Sequence, residues 1–108
     1  NISAEFCSSD NFMLVSSNLT TSISDINLRN SSFLGALADI RSSEDIFLTN
    51  WYMNYIGAHT LLSVGSGDNY TTTLNNVASE YVYQNASVPL FSCTSGSFVA
   101  NSCSISNV

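Results

Sequence analysis

The chain has 108 residues, 44% of them apolar but only 9% charged, and its formal net charge is −6 from two basic residues and eight carboxylates. Nucleic-acid binding and attraction to anionic lipid headgroups both depend on clustered Lys or Arg, so Arg29 and Arg41, with no lysine, leave neither a basis. The length supports one hydrophobic core, and the expectation is a single secreted domain over 1–108.

Residues 1–9 read as an extended lead-in, with a short strand around Ile2–Cys7. From there Phe12, Val15, Leu19, Ile23 and Ile26 recur at three- and four-residue steps, the spacing of a helical apolar stripe, with Ser9 or Asp10 as N-cap. A second stripe, Phe33, Ala36, Leu37 and Ile40, follows the break at Asn30-Ser31-Ser32. Glu44-Asp45 then marks a third helix start, its carboxylates set against the positive end of the helix dipole. The uncharged run from Ile46 to Gly67 continues from it. Thr49, Asn50, Asn54, His59 and Thr60 interrupt its apolar character, and acidic Asp45 and Asp68 flank it, so the spacing predicts a core helix rather than a membrane span. Gly65–Asn69 is a loop. Beyond it, Tyr70–Leu74, Glu80–Gln84, Val88–Cys93 and Phe98–Ile105 have strand character. The fold expected is therefore α+β: N-terminal helices at about 10–28, 33–41 and 44–63 packed on a small antiparallel C-terminal sheet at about 70–106. No internal repeat is evident in this reading.

Five Asn-x-Ser/Thr sequons occur, at Asn1, Asn18, Asn30, Asn69 and Asn85, none with Pro in the middle position. Glycans would solubilise a surface that has few charges. The opening Asn-Ile-Ser has no basic n-region or apolar h-region, as expected of a mature chain from which a leader was removed. Cys7, Cys93 and Cys103 are odd in number, which in a secreted protein suggests one internal disulfide and one cysteine pairing elsewhere. Of the three possible pairs, a plain hairpin disfavours 93–103, and the preference is for Cys7 with one of the C-terminal two. The remaining cysteine is then a candidate for an interchain bond or a buried free thiol.

No catalytic, cofactor-binding or metal-binding residues emerge. His59, the sole imidazole, reads as a packed mid-helix residue, and Glu44-Asp45 as a capping pair. Three scattered cysteines do not form a zinc or iron–sulfur set. From Tyr81 to Val108 there is no charged residue, so the C-terminal strands lack the charges that usually guard sheet edges. These features point to a secreted, N-glycosylated, non-enzymatic interaction or structural domain. It would be a subunit of an extracellular, cell-surface or virion-surface assembly, joined to a protein partner or a second copy through an interchain disulfide and the C-terminal strands. The alternative is a small secreted membrane-active toxin or effector whose 46–67 segment engages lipid.

Overall fold

The computed structural model describes residues 2–84 and 87–106, and these form strands and the corners between them. Two parallel sheets take alternate strands of the chain. The first contains β1 (Ile2–Glu5), β2 (Ser8–Ser9), β4 (Thr21–Phe33), β6 (Ile46–Ala58), β8 (Thr71–Gln84), β10 (Ser97–Asn101) and β11 (Ser104–Ser106). The second contains β3 (Met13–Ser17), β5 (Ala36–Ser42), β7 (Thr60–Gly65) and β9 (Phe91–Thr94). Each circuit of the chain contributes a long side to the first sheet and a short side to the second. Ile2 lies beside Ile26, Ile26 beside Trp51, and Trp51 beside Val77, so one circuit takes 24 to 26 residues. A chain that winds this way into stacked parallel rungs is a β-solenoid.

The expected helices at 10–28, 33–41 and 44–63 are absent from the described residues, and the sheet over 70–106 is parallel, not antiparallel. The cause lies in the long sides. In β6 the inward residues are Ile46, Leu48, Trp51, Met53, Ile56 and Ala58, and in β8 they are Thr72, Leu74, Val77, Ser79 and Val82. Their spacing alternates between two and three. A strand alternates strictly by two, but after every second inward residue this chain inserts one extra outward residue in the left-handed conformation. Those residues stack in two columns. One is Asp25, Asn50, Asn76 and Ser102; the other is Phe6, Asn30, Tyr55 and Tyr81. All have φ between 50° and 61°. Each bends the strand, so the long side wraps around the core.

The resulting mean spacing falls between the periods of a strand and a helix, and it imitates three- and four-residue steps. The stripe from Phe12 to Ile26 in fact spans two sheets. Val15 points inward from β3, Leu19 is an exposed corner residue, and Ile23 and Ile26 point inward from β4. The stripe from Phe33 to Ile40 likewise crosses from β4 to β5.

Asn and Asp tolerate the left-handed region because their short polar side chains bond locally. Here they also bond along the stack. Asn50 Nδ2 donates to Asp25 Oδ1 at 3.2 Å, and Asn76 Nδ2 donates to Asn50 Oδ1 at 3.2 Å. Tyrosine is a costlier choice at such a position. Tyr55 and Tyr81 offset part of that cost by stacking their rings 4.7 Å apart and 6° from parallel.

The core fills the space between the sheets. Trp51 is 1% exposed at its centre, and its Nε1 donates to the Ile23 carbonyl at 3.0 Å. Leu37, Ile40, Leu61 and Val64 of the short side are buried in the same core cluster. At the corners, carboxylates tie one circuit to the next. Glu44 Oε1 accepts from the Thr20 backbone N–H at 2.9 Å, and Asp45 Oδ1 accepts from the Thr71 N–H at 2.8 Å. The Glu44-Asp45 pair thus satisfies turn amides of neighbouring rungs, with no helix start involved. The residues around Ser95-Gly96 form another corner, joining the two sheets. Gly96 is there because a Cβ would strike the Asp68 carbonyl of the circuit below.

Candidate functional site

Two regions of the stack carry the residues singled out from sequence: its corners and its C-terminal end. Asn18 and Asn69 are exposed at the corner where the short side passes to the long side, in the first and third circuits. Asn30 is exposed at a left-handed bend of β4. These three sequons present their side chains to solvent from different circuits. Asn1 and Asn85 lie outside the described residues.

All three cysteines are free thiols. The structure gives no support to the expected internal disulfide, and for Cys7 the reason is geometric. Cys7 follows β1 on the first rung, beside Ser31, whereas Cys93 is in β9 beside Val64 and Cys103 lies between β10 and β11. Strands in a sheet are about 4.8 Å apart. Three strand spacings therefore place Cys7 about 14 Å along the stack from Cys93, and four place it about 19 Å from Cys103, against the roughly 7 Å between Cα atoms that a disulfide spans. Cys93 and Cys103 sit on the two different sheets, so neither is the other's partner across a ladder.

Burial pushes the Cys93 thiol above its ordinary value of 9.0, an effect partly offset by the neighbouring Thr72 hydroxyl. Its protonated form is favoured by folding, so its contribution to stability is complete below that ordinary value and is lost as pH rises through the raised one. We expect alkylation of the native protein with a maleimide near pH 8 to label Cys103, which is exposed, well before Cys93. Peptide mapping of the labelled sites checks the order, and equal rates would contradict this placement.

His59 does not occupy a helix. It stands at the corner between β6 and β7, where its N–H donates to the Gly35 carbonyl at 3.1 Å and its own carbonyl accepts from Gln84 Nε2 at 3.1 Å. Glu44 and Asp45 are committed to the turn amides described above. Among the described residues no three His, Cys, Asp or Glu side chains converge on a common point.

The C-terminal end differs from the rest of the stack. All residues of β10 and β11 are exposed, and Phe98, Val99 and Ile105 are 45%, 43% and 47% exposed. Beneath this rung is an open apolar cavity of about 340 Å³, walled by Leu74, Val77, Phe91, Phe98, Ala100 and Ile105 among others. Ser79 also lines it. The sequence reading identified the uncharged C-terminal segment but not the cavity. The signal was present: aligning the circuits by the recurrent left-handed Asn, Asp, Ser and Tyr positions places Ser79, Ala100 and Ile105 on the inner face.

The fold defines the protein's class as a parallel β-solenoid. Comparison with protein-family models, with curated proteins and with solved structures gives no match.

Proposed function

We propose that this chain is an extracellular, N-glycosylated β-solenoid segment that acts by contact, as a non-enzymatic subunit of a cell-surface or virion-surface assembly. The observation that carries this reading is the uncharged final rung. Its residues are exposed, its apolar side chains Phe98, Val99 and Ile105 among them, and one edge of β10 and β11 pairs with β8 while the other has no strand beside it among the described residues. Such an edge templates pairing with another chain. The outer faces of the long sides, rich in Ser, Thr and Asn with few charges, suit a surface that carries sugar at Asn18, Asn30 and Asn69. Cys103, on the same final rung, is an exposed free thiol, which supports an interchain bond as part of this reading.

The lipid-engaging alternative has less support. The 46–67 segment holds β6 and β7, which are clamped between β4 and β8 in one sheet and between β5 and β9 in the other. Releasing it would break the ladders on both sides. No helix among the described residues is long and apolar enough to cross a membrane.

Native and denaturing mass measurement on protein from its own source tests the proposal. We expect a chain that loses mass on enzymatic deglycosylation, and a species larger than one chain under native conditions. Carbohydrate-free material that stays monomeric under native conditions would rule it out.

A further inference from the structure

The cavity at the C-terminal end combines apolar walls with one buried polar group that has no partner. Ser79 points inward from β8, between Met53 of the rung below and Ile105 of the rung above. It is 1% exposed, and its hydroxyl makes no hydrogen bond among the described residues. A buried hydroxyl left unpaired costs about 1–3 kcal/mol; Thr72 Oγ1 and Asn54 Oδ1 are also buried without a partner among the described residues, but of the three only Ser79 lines the cavity. The cavity is also open to entry. Among the described residues the first sheet carries β10 and β11 above β8 while β9 is the last strand of the second, so one wall of the cavity stands a rung higher than the other.

We propose that this cavity binds a small neutral apolar molecule with a single hydrogen-bonding group, such as a medium-chain alcohol, ketone or amide, with that group seated on the Ser79 hydroxyl. The volume of about 340 Å³ lies at the small end of ligand sites and sets the size of the guest. Charge sets its neutrality. No charged side chain lines the cavity, and an ion placed there would be desolvated without a counter-ion. Apolar walls of this kind favour apolar guests over water. The Ser79 hydroxyl then selects among them, because a guest with a matching polar group recovers the missing hydrogen bond. This site goes beyond the contact role proposed above and does not depend on it.

The test uses the full chain and a neutral fluorophore, N-phenyl-1-naphthylamine, displaced in turn by 1-hexanol and by hexane. We expect the wild-type protein to bind the fluorophore. Ala100→Phe, which fills the cavity from its outer rung, should weaken binding at least tenfold, while Ser92→Phe on the outer face of β9 should leave it within twofold. Ser79→Ala should lower the affinity for 1-hexanol about tenfold relative to hexane, with hexane itself within twofold of wild type. Failure of the wild-type protein to take up the fluorophore would overturn the proposal. So would an unchanged hexanol-to-hexane ratio in Ser79→Ala, a result that holds even if Ala100→Phe does not fold. Glycosylation and assembly state are read separately by mass, so loss of this site leaves the contact role untouched.

Discussion

Trp51→Ala should destabilise the fold by about 3–5 kcal/mol, the range for truncating a large buried aromatic side chain. Trp51 is the largest fully buried residue, it lies on the middle rung, and it belongs to one buried cluster with residues of both sheets. Its loss opens a void between two sheets that are each pinned by parallel ladders, so the walls have little freedom to close in. It also leaves the Ile23 carbonyl without its indole donor. Against a total stability of roughly 5–15 kcal/mol, this is enough to lower the melting temperature by about 10 °C or more. Trp51→Phe keeps most of the volume and should cost distinctly less. Thermal and urea unfolding followed by circular dichroism measure both. An alanine variant within 1 kcal/mol of wild type would show that the core is not organised around this side chain.

The second large effect belongs to the left-handed columns. Asn50 holds φ at 57° and both accepts and donates along its ladder, from Asn76 and to Asp25. Asn50→Val places a β-branched residue in the left-handed region, at a cost of roughly 1–2 kcal/mol, and removes two exposed hydrogen bonds, each worth about 1 kcal/mol or less. A total loss of about 2–3 kcal/mol is expected. Asn50→Gly loses the same hydrogen bonds but adopts the conformation freely, so it should cost about 1 kcal/mol. Thr49→Val, one residue earlier and in ordinary extended conformation, should fall within about 0.5 kcal/mol of wild type. Urea midpoints for the three variants settle the comparison. Equal losses for valine and glycine at position 50 would mean that backbone conformation is not what this position requires.

These two expectations concern the same feature that misleads a one-dimensional reading. The apolar residues Ile46, Leu48, Trp51, Met53, Ile56 and Ala58 are spaced 2-3-2-3-2, and a window over such a pattern scores for a helix because every second interval is three. What separates the cases is the residue inserted at each long interval: Asn50 and Tyr55 here, Asp25 and Asn30 one circuit before, Asn76 and Tyr81 one circuit after. Asn or Asp five residues before another such position, recurring every 25 or so residues, is a signature of the fold that hydrophobic periodicity alone does not capture. The tyrosines hide it further, since a bulky aromatic residue is not an ordinary choice for a left-handed bend and reads naturally as core. Both are half exposed.

The cysteines show the same limit in another form. An odd count and a secreted composition favour a long-range bridge from Cys7. A solenoid, however, converts sequence separation directly into distance along its axis, and residues three circuits apart do not meet unless the chain folds back. The sequence by itself determined the scarcity of charge, the positions of the five sequons and the lack of clustered basic residues, because these depend on residue identity. The tertiary structure alone decided which side chains share an interior, where Ser79 is left without a partner and why Cys7 stands apart. Those are properties of register, and a single extra outward residue at each bend shifts the register of everything that follows it.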